Sequence, residues 1–184
     1  KDENGAPVSD AKIEIAYEGT DVTTTLNVNG NDGKYAAIVK MKKPQDVMVT
    51  VVKEGHAFDS KLISKNQMNE GDLTIRGNNL SVKKLELGAS YTINDILFAT
   101  NSAELNGKSK FILKGFARFL KQNESIQVSI NGHTDDVGDA NENIELSKSR
   151  ADGVRKYLLS LGIDQERLES NGYGETRPKL DNDT

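Results

Sequence analysis

The 184-residue sequence contains no cysteine, no tryptophan and only two histidines, His56 and His133. Without cysteine the chain can form neither a disulfide framework nor a thiolate nucleophile, which fits an oxidising and a reducing compartment equally well. Two histidines without a cysteine also leave a zinc site short of ligands, so we do not expect His56 to bind a metal. The composition therefore excludes thiol catalysis and a zinc centre.

Long hydrophobic runs and basic clusters are missing as well. The longest apolar run, Val47–Val52, is interrupted by Thr50, and a membrane-spanning helix needs about 20 apolar residues. Residues 1–89 carry 12 basic and 13 acidic side chains, and residues 90–184 carry 12 and 15. Nucleic-acid surfaces concentrate Lys and Arg on one face. We therefore expect no membrane insertion by this part of the chain and no nucleic-acid partner.

The first half of the chain has the two-residue period of half-buried β-strands. Apolar and polar side chains alternate in Ala11–Tyr17 and in Val22–Val28, and a further strand pattern follows at Val47–Gly55. The turn signal NGNDG predicts a hairpin into another strand at Tyr35–Met41. Short strands joined by short turns predict a small antiparallel β-sandwich.

Three stretches of this half, NGAPVSDAKIEI, NGNDGKYAAIV and VTVVKEGHAFDSKLI, resemble the carboxypeptidase regulatory-like domain, which is a transthyretin-like β-sandwich. The resemblance covers residues 1–87. It implies a structural or partner-binding role and no reaction. Because domains of this family usually begin one strand earlier, we expect their first edge strand to lie before Lys1.

The second half alternates strand and helix patterns. A strand is predicted in Tyr91–Ala99, a helix with a 3.6-residue apolar period in residues 106–123, and a second strand in residues 125–134. A second helix is predicted from Asn141 to Leu161, and an extended segment follows it. The order predicts a βαβαβ α/β sandwich at residues 90–184, and therefore an α+β chain as a whole.

Three aspartates, Asp135, Asp136 and Asp139, lie in the loop that joins the second predicted strand to the second predicted helix. Such a loop could belong to a catalytic carboxylate site, a metal loop, or a pocket for a ligand that carries both charges. Adjacent side chains on an extended segment point to opposite sides, which does not suit the paired carboxylates of a glycosidase. The spacing does not match a calcium loop either. We therefore predict a binding protein that is not an enzyme, with no catalytic residues, no metal and no cofactor, in which Asp136 and Asp139 shape the loop or cap the helix.

The helix that follows this loop has a polar face. Asn143, Ser147 and Arg150 are spaced i, i+4 and i+7 on that face, and Leu146 borders it. Asp135 ends a strand, where open α/β sheets present their ligand-binding loops. We therefore expect the Asp135 carboxylate and the Arg150 guanidinium to border one small cleft.

The stretches LFATNSAEL, INGHTDDVGDANENIELSKSRADGVRKYL and GYGETRP resemble the peptidoglycan-binding OmpA C-terminal-like domain over residues 90–184. Members of this family continue beyond the last of these motifs, so we expect the chain to end before the final strand of the fold. The residues that match the family's ligand pocket are Asn101, Thr134, Asp135, Asn143, Leu146, Ser147 and Arg150.

The resemblance implies a ligand, the peptide stem of peptidoglycan, whose diaminopimelate residue presents an ammonium and a carboxylate at one centre. Arg150 would hold the carboxylate through two parallel N–H donors, and Asp135 would accept from the ammonium. Thr134 and Asn143 would add neutral hydrogen bonds. Leu146 would pack against the methylene groups of the stem.

The order of the two domains also resembles envelope components of the type IX secretion system of Bacteroidetes. This implies a periplasmic protein that anchors an outer-membrane-associated assembly to the cell wall, with residues 1–87 contacting secretion-system envelope proteins. The alternative is a protein-interaction scaffold of the cell envelope whose β-sandwich binds partner proteins. The chain opens with charged and turn residues, KDENGAPVSD, so we expect it to be a piece of a longer protein that is attached to the outer membrane through other parts.

Overall fold

The computed structural model describes residues 2, 4–8, 10–20, 22–28, 44–67, 80 and 82–176. The chain forms two compact units, Lys1–Asp95 and Ile96–Thr184. Within the described residues, no helix is both long enough and apolar enough to cross a membrane.

The first unit contains a four-stranded antiparallel sheet. Its strands are β1 (Lys12–Tyr17), β2 (Thr23–Asn27), β3 (Val47–Val52) and β4 (Asp59–Ile63), in the spatial order β2-β1-β3-β4. The alternation in β1 buries one face of the strand, and the nearly continuous apolar run of β3 is buried on both faces. These two strands therefore form the centre of the sheet. One cluster of buried core residues in this unit consists of Val8, Ala11, Ile13, Ile15, Val47, Val49, Val51, Ile63, Leu80 and Val82.

The predicted antiparallel character of this unit is confirmed. The strand predicted at Tyr35–Met41, which a second sheet would need, lies outside the described residues. Near the end of the unit, the structure shows the isolated bridges Asp2 to Val82 and His56 to Lys84.

The second unit packs two helices with a parallel strand pair. Helix α1 (Gly107–Gln122) and helix α2 (Ala140–Ser160) each precede a strand, β5 (Val128–Gly132) and β6 (Leu168–Gly172), and the two strands pair in parallel. Both predicted helices are confirmed to within a residue at each end. The mixed α+β class is therefore also confirmed.

Both helices begin at a side-chain cap. Asn106 Oδ1 accepts from Ser109 N at 2.8 Å at the start of α1. Asp139 Oδ1 accepts from Asn141 N at 2.8 Å and from Glu142 N at 3.2 Å at the start of α2. The predicted capping role of Asp139 is thus confirmed, and the loop that carries Asp135 ends at this cap.

The first strand predicted for this half contributes only a bridge between Phe98 and Leu105. The buried Ser109 Oγ donates to Leu97 O and accepts from Leu97 N, both at 2.9 Å. Asp95 also adopts a positive φ of 64°, which is a turn conformation and does not fit an extended strand. The Ser109 hydroxyl on α1 therefore hydrogen-bonds the N–H and C=O of Leu97, which a neighbouring strand would otherwise pair with.

Two glycines allow α2 to lie directly against the ends of β5 and β6. Gly132 and Gly172 are register partners in the strand pair. A Cβ on Gly132 would stand 2.1 Å from Ser147 O, and a Cβ on Gly172 would stand 2.3 Å from Lys148 N. Because only glycine tolerates such an approach, this pair sets how closely the polar face of α2 sits over the strand ends.

Candidate functional site

The loop that carries Asp135 leaves the end of β5 and is held by the segment that follows β6. Tyr173 N donates to Gly132 O at 3.0 Å, and Thr134 N donates to Gly174 O at 3.1 Å. The two chain segments therefore remain paired beyond the strands. Asp135 follows directly, with an exposed side chain.

Asn143, on the first turn of α2, fastens this loop to the helix. It is only 6% exposed, and its Nδ2 donates to Asp135 O at 3.4 Å and to Val137 O at 3.3 Å. The same nitrogen donates to Glu175 Oε2 at 3.1 Å. The amide thus connects the helix, the loop and the segment after β6.

Ser147 lies one turn further along α2 and is completely buried. Its Oγ donates to Ile144 O at 2.8 Å and accepts from Gly174 N at 2.9 Å. The hydroxyl therefore already has a partner for its proton and one for one of its two lone pairs. Contact between Ser147 and a ligand stays a prediction, and the visible role of this residue is to hold Gly174 against the helix.

Arg150 is half-buried and its guanidinium is fixed from one side. Nε donates to Ser102 O at 3.1 Å, and Cζ lies 5.3 Å from the centroid of the Phe98 ring, within the range of a cation–π contact. Nη1 and Nη2 have no hydrogen-bond partner among the described residues, and neither is an enclosed donor. Within the residues that the structure describes, Arg150 and Asp135 form no ion pair.

The remaining predicted site residues differ in their accessibility. Asn101, next to Ser102, is exposed and adopts a left-handed φ of 51°, which asparagine tolerates better than most residues. Leu146 is half-buried. Thr134 Oγ1 is enclosed and has no hydrogen-bond partner among the described residues, an uncommon state for a buried hydroxyl.

The structure thus arranges the predicted residues in two groups. Asp135 and Asn143 meet through the loop backbone, whereas Arg150 meets the segment that contains Asn101. The contacting residues that sequence reasoning missed include Phe98, Ser102 and Glu175. Each lies inside one of the motifs quoted above, and no local periodicity would have indicated its partner.

A charged contact next to the site joins β6 to α2. Lys148 Nζ donates to Asp152 Oδ1 at 2.8 Å and to Ser170 O at 2.7 Å, and Ser170 Oγ donates to the same Asp152 oxygen. Hydrogen bonds from Lys148 first, and then from Ser170, hold the pKa of Asp152 below its ordinary value. Among the described residues, no group of three or more acidic or histidine side chains is arranged to hold a metal ion.

The following family model and known proteins are similar to the α/β half of the chain. The sequence model described as the OmpA family matches residues 97–184. Outer membrane porin F of Pseudomonas aeruginosa is 37% identical over 91 residues, which cover 49% of this chain and 26% of the porin. The peptidoglycan-associated lipoprotein of Haemophilus influenzae is 33% identical over 87 residues, covering 47% of this chain and 57% of the lipoprotein.

Among solved structures, the peptidoglycan-associated lipoprotein from Burkholderia pseudomallei is 28% identical, with a TM-score of 0.44, and covers 48% of this chain and 75% of that one. The chain spans about a quarter to somewhat over half of the length of the two relatives above. The predicted OmpA-like type of the C-terminal α/β domain is confirmed by the family match.

Proposed function

We propose that the OmpA-like domain binds the peptide stem of peptidoglycan without catalysing a reaction on it. The family match and the name of the relative from Haemophilus influenzae, a peptidoglycan-associated lipoprotein, support this class of ligand. The observation that carries the proposal for this chain is the state of Arg150, whose guanidinium is fixed at Nε and open at both Nη atoms.

The fixed guanidinium determines how a carboxylate can approach. A carboxylate can bind the fork of arginine either along the Nε edge or end-on at the two Nη atoms. Because Ser102 O occupies Nε, the end-on approach is the one that remains. The Phe98 ring beneath the guanidinium limits its side-chain freedom before the ligand arrives, which lowers the entropic cost of binding.

Asp135 supplies the opposite charge. An aspartate in this loop could have served as the cap of α2, but Asp139 caps that helix. The exposed Asp135 carboxylate is therefore available to accept hydrogen bonds from an ammonium group. Diaminopimelate presents a carboxylate and an ammonium at one centre and would satisfy both side chains. Lysine, at the same place in a stem peptide, lacks the carboxylate.

The other predicted contacts divide according to burial. Asn101 is exposed and Leu146 is half-buried, so both can reach a ligand. Asn143 and Ser147 are buried and hold the loop and the Gly174 segment in place. We propose that the first two contact the stem peptide directly and that the other two mainly keep the site in shape.

Isothermal titration calorimetry with two muropeptides tests this proposal. A muropeptide containing diaminopimelate should bind at least about tenfold more tightly than its lysine counterpart, since one charge-assisted pair would be lost. Arg150→Ala and Asp135→Ala should each abolish sedimentation with purified sacculi at unchanged circular dichroism, because losing either side chain leaves the opposite charge of the bound ligand desolvated and unpaired, at a cost of about 2–5 kcal/mol. Equal affinities for the two muropeptides would refute the assignment of diaminopimelate.

We further propose that peptidoglycan binding anchors an outer-membrane-associated assembly from the periplasmic side. The order of the domains resembles the C-terminal part of PorE, which leads us to suggest the type IX secretion system. Residues 1–87 would then act as a carboxypeptidase regulatory-like module that binds envelope proteins. Residues 1–87 alone should stay in the supernatant with sacculi, and their co-sedimentation would contradict this division between the two domains.

The exposure of β2 favours a second candidate function, a protein-interaction scaffold. β2 ends the described sheet, most of its residues are exposed, and the neighbouring Val22 is 63% exposed. Exposed end strands can pair with an extended segment of another protein. Cross-linking in the cell envelope would support this candidate if residues 1–87 captured the same partner with and without the OmpA-like domain.

A further inference from the structure

We infer that Glu175 is a positioning residue for Asp135 and acts through the amide of Asn143. The consequence for ligand binding rests on the function proposed above, whereas the effect on the loop can be measured without a ligand. Glu175 is half-buried and lies in the segment that follows β6.

The three groups around Asn143 Nδ2 are all hydrogen-bond acceptors. They are two backbone carbonyls of the loop, Asp135 O and Val137 O, and the Glu175 carboxylate. An asparagine amide has a donor end and an acceptor end, and turning the acceptor end toward these oxygens would place oxygen against oxygen. Glu175 therefore helps to fix the amide in one orientation, with Nδ2 on the loop and Oδ1 directed elsewhere.

The bond to Glu175 is the shortest of the three and is the charge-assisted one. It measures 3.1 Å, whereas the bonds to the loop carbonyls measure 3.3 and 3.4 Å, beyond the usual range for this type of bond. Without Glu175, Asn143 would keep only two weak bonds. The amide that holds the loop next to the Asp135 side chain would then no longer be fixed by a charged acceptor.

Glu175 is itself held in place by a turn. Thr176 N and Thr176 Oγ1 both donate to Tyr173 O, at 3.1 and 2.6 Å. Between these residues, Gly174 N donates to Ser147 Oγ and Gly174 O accepts from Thr134 N. The turn is thus fastened both to α2 and to the start of the loop, so it can deliver the carboxylate to Asn143 at a defined position.

Two roles of Glu175 must be distinguished experimentally, namely accepting a hydrogen bond and supplying a negative charge to the ligand. Glu175→Gln keeps an oxygen acceptor on a side chain of the same length and removes the charge. Glu175→Ala removes both. Glu145→Ala serves as the matched control, because Glu145 is an exposed glutamate on α2 whose side chain makes no hydrogen bond to other described residues.

The first measurement is the backbone order of residues 135–137 in the whole chain without ligand, from ¹⁵N relaxation. Glu175→Ala should lower their order parameters from about 0.85 toward 0.6 or below, which marks a flexible backbone. Glu175→Gln and Glu145→Ala should leave them near the wild-type values. Unchanged order parameters in Glu175→Ala would overturn the inference, and so would an equal loss in Glu175→Gln, since charge and not the hydrogen bond would then be responsible.

The second measurement is titration with the diaminopimelate muropeptide. Glu175→Ala should bind about tenfold more weakly, and Glu175→Gln within about threefold of wild type, as expected for the loss or retention of one strong bond. Wild-type affinity in Glu175→Ala would overturn the positioning role. A wild-type chain that does not bind the muropeptide would refute the proposed function, while the ligand-free order parameters would still decide the role of Glu175.

A shorter acid gives the same comparison if Glu175→Ala does not fold. Glu175→Asp keeps the charge but withdraws the carboxylate from Asn143 by one methylene group. It should therefore loosen residues 135–137 as the alanine variant would. Wild-type order in Glu175→Asp would also contradict the inference.

Discussion

Replacing Arg150 by lysine keeps the positive charge and removes the fork that the proposed mechanism requires. In the structure, Nε of Arg150 donates to Ser102 O at 3.1 Å and leaves two terminal nitrogens for a ligand. Lysine has one terminal nitrogen, so it can serve the Ser102 carbonyl or a ligand carboxylate. It cannot offer two parallel donors to the carboxylate. The substitution therefore separates charge from geometry.

The expected loss follows from the bonds that disappear. A hydrogen bond that involves a charged group contributes about 1.5–3 kcal/mol, and Arg150→Lys loses at least one such bond to the ligand. The affinity for the diaminopimelate muropeptide should fall by at least about tenfold, which corresponds to roughly 1.4 kcal/mol. Wild-type binding should tolerate moderate salt, because close and partly buried pairs are screened less than exposed ones.

The assay is isothermal titration at low and moderate salt, with Arg155→Lys as the matched control. Arg155 lies on the same helix, is half-buried, and also donates from Nε to a backbone carbonyl, Leu168 O, at 2.8 Å. Arg155→Lys should therefore copy the loss of the carbonyl bond and leave the affinity unchanged. Near-equal affinities for wild type and Arg150→Lys, declining together as salt is added, would refute the end-on fork.

Three further predictions concern stability. Gly172→Ala should destabilise the OmpA-like domain by about 1–3 kcal/mol or more in urea denaturation, because its Cβ would stand 2.3 Å from Lys148 N and α2 would have to move; a wild-type midpoint would contradict the close approach. Ser147→Ala should cost about 1–3 kcal/mol, because Gly174 N would lose its acceptor; a cost below this range would show that another group replaces the hydroxyl. The lowered pKa of Asp152 stabilises the fold at pH values above 3.8, the ordinary pKa of this group, and the stabilisation is lost as the pH falls through the folded-state pKa. Because the Lys148–Asp152 pair is solvent-accessible, Asp152→Asn should reduce this acid sensitivity by less than about 1 kcal/mol. An unchanged pH dependence of the unfolding free energy would contradict the contribution.

Three strands of the first unit, β1, β2 and β3, could be predicted from the pattern of their local sequence, whereas β4 was not predicted. Ile13 and Ile15 alternate with Lys12 and Glu14 and are almost completely buried, as the two-residue period requires. The strand predicted at Tyr91–Ala99 failed for the opposite reason. Within it, the N–H and C=O of Leu97 are hydrogen-bonded to the hydroxyl of Ser109 on α1, a contact that no local period can reveal.

The candidate site shows the same limit. Helical spacing correctly placed Asn143, Ser147 and Arg150 on one face of α2. It did not reveal their burial or their long-range partners: Glu175 lies 32 residues from Asn143, Gly174 lies 27 from Ser147, and Ser102 lies 48 from Arg150 along the chain. Long-range partners depend on how β6 and the segment after it return to α2, and the sequence pattern of the helix contains no information on that path.

Residues that look equivalent in a motif therefore have two different physical tasks. Ser147 is completely buried and its proton already has a partner, whereas Arg150 keeps two terminal nitrogens for a ligand after its own attachment is made. Replacing either residue could abolish binding, the first by moving Gly174 and the second by removing a contact. Loss of binding alone cannot separate these cases. A substitution identifies a ligand contact only when the affinity falls while the unfolding midpoint and the order of the Asp135 loop remain at their wild-type values.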